Sequence, residues 1–382
     1  MISKQKLSKY FIALLLLAVF NISCTEVFIP EVDVENEAIV VEGLITDGSG
    51  PFYVKISKTV PFNNNVSDLK PVTGAKLTVQ DSLNNFYSLF ESMPGNYQLP
   101  SNFIPAIGSS YKLSVETQDG SIYESDFEKL LPPSKYDSIR SFYVQDKFVD
   151  KNNNTRIVNG ADMRVDLFEN ITDDEKKLCR FKTDITIQYS FNYNLPDTIA
   201  WHYFCFGWET FNLNSTENLA PEKISSGNQY LKNHSLCFIP NSVSMYGFNM
   251  PDSASVSFYL RINQYTLNNN SYKFYQDANS QLSASGKIFD PVTSQLKGNI
   301  RCITNPEKVV LGLFEVSSVE RSAYVLDIVD VSKKIFLYKV PYVEFNEMSV
   351  FKYRVWDLDP KGKPEDDEAY TVIPFTDWWF HK

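Results

Sequence analysis

Apolar and polar residues alternate at a period of two along much of this chain, and turn-forming pairs interrupt the alternation at short intervals. That pattern restricts the chain to a β architecture. Ala38-Ile39-Val40-Val41-Glu42-Gly43-Leu44-Ile45 and Phe52-Tyr53-Val54-Lys55-Ile56-Ser57 flank Asp47-Gly48-Ser49-Gly50, a hairpin signal. Val72 to Val79 leads through Asn84-Asn85 into Phe86-Tyr87-Ser88-Leu89-Phe90, and Asn96-Tyr97-Gln98-Leu99 follows Pro94-Gly95. Tyr111, Leu113 and Val115 alternate up to Asp119-Gly120, where Ile122 opens a return strand. About seven short strands with a turn every 8–12 residues predict an antiparallel sandwich over residues 38–131. Pro132-Pro133 then makes a stiff break suited to a domain boundary.

Residues 134–382 read as a second β domain. Met163 to Leu167, Ile185 to Tyr189 and Val256 to Ile262 keep period two, while Val309 to Val316 reads as a fully buried strand. One helix is expected near 271–282, with Tyr272, Tyr275, Asn279 and Leu282 on one side. No period of 20–50 residues repeats, which argues against a solenoid or propeller. The expected fold is mainly β: two antiparallel β-sandwich domains, the second with a short helix.

The N-terminus carries a different signal. Lys4, Lys6 and Lys9 precede Phe11 to Phe20, an apolar run of ten residues. A helix needs roughly 20 residues to cross a hydrocarbon core of about 30 Å, so residues 1–23 read as a removable signal peptide. Ser23 before Cys24 suits a lipoprotein signal peptidase, although Asn21 stands where Leu is usual. Cys24 is therefore the expected lipidation site, followed by an acidic tether over 24–37 that includes Glu26, Glu31 and Asp33. Three of the 36 basic residues leave with the signal and none of the 46 acidic ones, so 33 minus 46 gives −13. An acidic surface repels phosphate backbones and anionic headgroups, which excludes nucleic acid as a partner and leaves acyl chains as the membrane attachment.

Four cysteines remain: Cys179, Cys205, Cys237 and Cys302. An even number in an exported chain suggests disulfides, and Cys205 with Cys237 is the preferred pairing; buried unpaired thiols are the alternative. Their spacing does not suit a zinc site. Asp150 to Thr155 lacks the glycine and the Glu of a calcium loop, since position twelve is Ala161, so no metal or cofactor is expected. The only histidines are His202, His234 and His381, and neither a H-E-x-x-H nor a G-x-S-x-G motif occurs. Acidic pairs such as Asp173-Asp174 read as solvated surface, and no catalytic residue is assigned.

The aromatic run Trp201 to Trp208 reads first as two-sided strand packing. Trp378, Trp379 and Phe380 either fold back or dock on a partner, because an aromatic terminus in water is costly. Four Asp-Ser/Thr-aliphatic triplets place candidate O-glycosylation at Ser82, Ser138, Thr198 and Ser253. They are similar to the acceptor sequence of Bacteroidota envelope proteins.

Two resemblances follow from these residues. Val72-Thr73-Gly74-Ala75 to Val79, Gly95-Asn96-Tyr97 and Tyr111 to Val115 resemble the transthyretin-like, carboxypeptidase-regulatory-type sandwich. Three further stretches resemble a family of Bacteroidota outer-membrane lipoproteins known only as domain of unknown function four-two-four-nine. These are Cys24 followed by Ala38 to Asp47, Gln264-Tyr265 with Tyr272-Lys273-Phe274-Tyr275, and Leu296-Lys297-Gly298-Asn299-Ile300 continuing into Val310 to Ser318. The chain ends without the Cys-rich tail that members often have. The resemblance implies a non-enzymatic outer-membrane lipoprotein facing the cell surface, an accessory subunit of a TonB-dependent receptor complex for nutrient capture or uptake. Its implied partner is an outer-membrane β-barrel. The alternatives are a structural subunit of an envelope machine for outer-membrane protein assembly or secretion, and a surface polymer hydrolase.

Overall fold

In a computed structural model, the described residues are 38–59, 69–149, 154–170, 178–194, 201–213, 217–220, 224–225, 228–241, 255–284, 296, 298–329, 332–342 and 350–357. The first ten strands are β1 (Ile39–Thr46), β2 (Tyr53–Lys58), β3 (Lys70–Pro71), β4 (Lys76–Asp81), β5 (Phe86–Ser88), β6 (Phe90–Met93), β7 (Asn96–Gln98), β8 (Ser110–Glu116), β9 (Ile122–Ser125) and β10 (Glu128–Lys129). After Pro132-Pro133 come β11 (Ser138–Val149), β12 (Thr155–Asn170), β13 (Leu178–Asn194), β14 (Trp201–Asn212), β15 (Asn218–Leu219), β16 (Ile224–Ser225), β17 (Asn228–Pro240) and β18 (Ser255–Leu267). The helix α1 (Asn269–Ala284) follows, then β19 (Ile300–Cys302), β20 (Val310–Val329), β21 (Lys334–Val340) and β22 (Val350–Asp357). The chain is mainly β with one described helix, as the alternation predicts.

The first sandwich forms where the sequence places it. β1 and β2 pair antiparallel around the Asp47 to Gly50 turn, and β8 pairs with β9 around Asp119-Gly120. Its core takes Val41 and Ile45 from β1, Ile56 from β2, and Tyr111, Leu113 and Val115 from β8. Phe103 meets the edges of Phe52, Tyr87 and Tyr111 at centroid distances of 5.9, 4.7 and 5.6 Å. Each such side chain contributes about 1.5–3 kcal/mol by leaving water, more than any single turn hydrogen bond.

The division at 131/134 is a division of the chain, and the hydrophobic core crosses it. β19 pairs antiparallel with β9, and Ile300, Cys302, Val310, Phe314 and Val316 all lie in the first core. β20 is the reason. Its first half runs parallel to β1, from Ile39 opposite Val310 to Thr46 opposite Ser317. Its second half runs antiparallel to β18, from Thr266 opposite Ser318 to Phe258 opposite Leu326. A parallel pair requires a long connection, and here everything from β2 to β19 supplies it. Among the described residues this parallel pairing departs from the all-antiparallel expectation. Asp47 fills the gap beyond β1, its Oδ1 accepting from the Val319 N–H at 2.8 Å.

The second core lies between two sheets. Met163, Val165 and Leu167 of β12 and Leu231, Leu236 and Ile239 of β17 face Ile185 and Ile187 of β13, Leu260 and Ile262 of β18, and Tyr324 and Leu326 of β20. α1 starts at Asn268, whose Oδ1 accepts from the Ser271 N–H at 2.9 Å and caps the first turn. Tyr272, Tyr275 and Asn279 face the protein, through bonds to Ala220, Glu315 and Glu217. Leu282, seven residues after Tyr275 and so on the same side of the helix, is 60% exposed near its C-terminal end.

Candidate functional site

The strongest concentration of buried charge lies where α1 meets β13, β18 and β20. Arg180 on β13 and Glu315 on β20 both have side chains almost removed from solvent. Arg180 Nη2 reaches both oxygens of Glu315 at 3.1 Å, while Nη1 donates to Glu217 at 2.9 Å. Its guanidinium lies over the rings of Tyr265 at 4.2 Å and Tyr275 at 4.5 Å. Glu315 also accepts from the hydroxyls of Tyr275 and, at 2.7 Å, Ser317. Burial works against the charge of Arg180, but Glu315, Tyr275 and Glu217 more than offset it, and its pKa lies above the ordinary guanidinium value. Burial, followed by the Glu315 charge, drives the Tyr275 hydroxyl well above the usual phenol range. That proton stays in place.

A second buried carboxylate lies at the N-terminus of the same helix, held by amides. Glu128 on β10 is 1% exposed. Its Oε1 accepts from Asn299 at 2.7 Å and Asn270 at 3.2 Å, and its Oε2 accepts from Asn268. Two of these amides cannot turn over. Asn268 Oδ1 is held by the Ser271 N–H, and Asn299 Oδ1 by the Phe314 N–H at 3.0 Å. Asn299 Nδ2 also donates to the Phe314 carbonyl at 2.7 Å, so this side chain pairs with Phe314 as a neighbouring strand would. Burial raises the Glu128 pKa against the three amides, and Asp126 adds to the rise.

The backbone beside these groups leaves no room for side chains. A Cβ on Gly298 would stand 1.7 Å from the Gly312 carbonyl oxygen. One on Gly312, where φ is +94°, would stand 2.0 Å from that of Val41. Glycine is required at both places for β1, β20 and the 298–300 segment to approach.

The stretches 38–47, 264–275 and 296–318 thus converge on one seam between the two cores. A family model described as Domain of unknown function (DUF4249) matches residues 25–323, a span that contains all three. The chain belongs to the DUF4249 family. No curated protein and no solved structure matches it.

The DUF4249 seam is a staple built from side chains that are already engaged. Both oxygens of Glu315 and both of Glu128 accept hydrogen bonds from named donors. Among the described residues, no group of three or more His, Cys, Asp or Glu side chains could hold a metal ion. Likewise, none of the described helices is long and apolar enough to cross a membrane.

The residues singled out in the sequence lie apart from one another. Cys237 and Cys302 are buried free thiols, one in the second core and one in the first. Cys237 carries no disulfide among the described residues, and the side chain of Cys205, its preferred partner, lies outside them. Cys237 is enclosed by apolar neighbours of β12, β13 and β17, and burial pushes its thiol up to about 12. Cys179 is buried in the second core, where its sulfur accepts from Gln264 Nε2 at 3.5 Å. Cys205 lies on β14 opposite Phe191, and its side chain is outside the described part, as are those of Trp201 to Trp208. Ser82 is exposed in the β4–β5 turn. Ser138 is half-buried at the start of β11, donating to Asp166 at 3.3 Å. Cys24, Thr198, Ser253, Trp378, Trp379 and Phe380 lie outside the described residues.

Sequence reasoning passed over Arg180, Glu217 and Glu128. Arg180 did carry a weak signal, a cation set between Cys179 and Phe181 but flanked by Lys177 and Lys182. Such a charge needs a partner when buried. Nothing local marks Glu128, whose three partners lie 140 to 171 residues away.

Proposed function

We propose that this chain is a non-enzymatic outer-membrane lipoprotein of a Bacteroidota cell surface, anchored through Cys24, that serves as an accessory subunit of a TonB-dependent β-barrel receptor in nutrient capture. The observation that carries the reading is the seam. Arg180, Glu315 and Glu128 bond internally between the two β regions, which suits a rigid scaffold. The sequence adds a leader, a cysteine at its end and an acidic tether leading into β1.

Detergent extraction of the tagged chain from native outer membrane, followed by mass spectrometry of co-purifying proteins, tests this. Recovery of one TonB-dependent barrel in near-equal amount is the expected outcome. Recovery of assembly or secretion components in its place would make the chain a machine subunit. Turnover of a surface polymer that is abolished by one carboxylate substitution would make it a hydrolase. Metabolic labelling with an alkynyl fatty acid should mark the wild-type chain and not the Cys24→Ser variant.

A further inference from the structure

Among the described residues, β11 is the longest open sheet edge. Its four-stranded sheet runs β11-β12-β17-β16, so β11 is bonded along one side only. It pairs with β12 from Ser138 opposite Asp166 to Val149 opposite Thr155 without a register shift. None of its twelve residues is Pro or Gly. Bulges, prolines and short length keep an edge from pairing with a further strand, and β11 has none of these. β21 shares the second core with it, through Ile335, Leu337 and Ile139, yet takes its ladder bonds from β20.

The amide and carbonyl groups along such an edge are matched by another extended strand. The side chains of β11 specify which one. Ile139 and Tyr143 lie opposite Val165 and Ala161 of the second core, so odd-numbered residues turn inward and Arg140, Phe142, Val144 and Asp146 share the outer face. A second copy, related by a two-fold axis through Tyr143, sets Arg140 opposite Asp146 twice. Phe142 then faces Val144, Ser141 faces Gln145 and Lys147 faces Ile139, so no like charges meet. A slip by one residue would turn one copy's core face outward, which excludes the neighbouring registers. Both charges are within reach. The Arg140 side chain is 38% exposed even with its Nη2 donating to Asp166 at 2.5 Å, and Asp146 is exposed. The edge strand β21 offers no such match, because it carries Lys334 and Lys339 and no acid.

We propose that the chain forms a two-fold dimer through antiparallel pairing of β11 with β11 of a second copy, which joins two four-stranded sheets into one continuous sheet. About ten backbone hydrogen bonds close along 138–148 in this register. The dimer goes beyond the barrel partnership and does not depend on it. The test uses the full lipidated chain in detergent, its protein mass read by light scattering. Wild type should be a dimer, as should Glu307→Lys, an exposed control in the β19–β20 loop with the same change of charge. Asp146→Lys sets a cation opposite Arg140 at both ends and should raise the dimer dissociation constant about ten-fold or more. Both sites are exposed, so folding stays nearly unchanged. Directly opposite Cβ atoms lie about 4.5–5.5 Å apart, so Phe142→Cys/Val144→Cys should give a reducible covalent dimer on mild oxidation and Phe142→Cys alone should not. A monomeric wild type overturns the proposal, and so does a dimer in which Asp146→Lys has no effect or the cysteine pair stays unlinked.

Discussion

Glu315 and Glu128 are buried in the same seam, one against the inner face of α1 and the other at its N-terminus, and they are stabilised by different means. Glu315 faces the Arg180 guanidinium, so the charge is neutralised where it lies. Glu128 faces three asparagine amides, which solvate the anion without cancelling it. The first arrangement tolerates burial because two charges offset each other, and it fails when either partner is lost. The second depends on amide orientation, fixed by the Ser271 and Phe314 N–H groups. It is also the place where pH acts on the seam.

Removing the charge on one side of the ion pair should have the largest effect. Glu315→Gln leaves buried Arg180 with only the part-exposed Glu217 as counter-ion and should cost about 3–5 kcal/mol in urea unfolding. A loss below about 1 kcal/mol would mean that Glu217 and the two tyrosine rings suffice, and the contrast with Glu128 would collapse. Gly312→Ala probes the backbone frame that both clusters share. Its Cβ would meet the Val41 carbonyl at 2.0 Å from a left-handed backbone, and the expected loss is about 2–3 kcal/mol.

Glu128→Gln should cost less, about 1–3 kcal/mol, because its new amide faces a donor that cannot turn without uncapping α1. This variant also isolates the pH dependence. Burial raises the folded-state pKa of Glu128 above its ordinary 4.5. The group therefore favours the folded state most below that value, and its contribution is lost as pH rises through the folded pKa. Unfolding curves from about pH 4 to about pH 7 should show wild type losing stability relative to Glu128→Gln as pH rises. A widening advantage for wild type would show instead that the amides outweigh burial. Ser317→Ala removes one of several donors to Glu315 and should cost only about 0.5–1.5 kcal/mol.

Much of the fold was legible because it is local. The Asp47 to Gly50 and Asp119-Gly120 turns, the alternation of Tyr111, Leu113 and Val115, and the helix around Tyr272 and Tyr275 all depend on neighbours within a few residues. Where partners are distant, the reading thinned. The return of β20 to β1 sets Thr46 beside Ser317, and no local pattern distinguishes that parallel pairing from an antiparallel one. The seam follows the same rule. Gly298, Asn299, Gly312 and Glu315 stood out as a motif, yet their work became visible only once Val41, Phe314, Glu128 and Arg180 came beside them. Cys237 and Cys302 are buried in separate cores and pack there as small apolar side chains, which counting cysteines does not show.

Two sandwiches, separated in sequence at Pro132-Pro133, form one unit fused through β20 and its seam. Native-state hydrogen exchange along β20 tests it most directly. If the account holds, amides of 310–317 and 318–326 exchange with one common opening free energy, and Glu315→Gln lowers both halves together. Two well-separated opening energies, with only one half responding to the substitution, would contradict it.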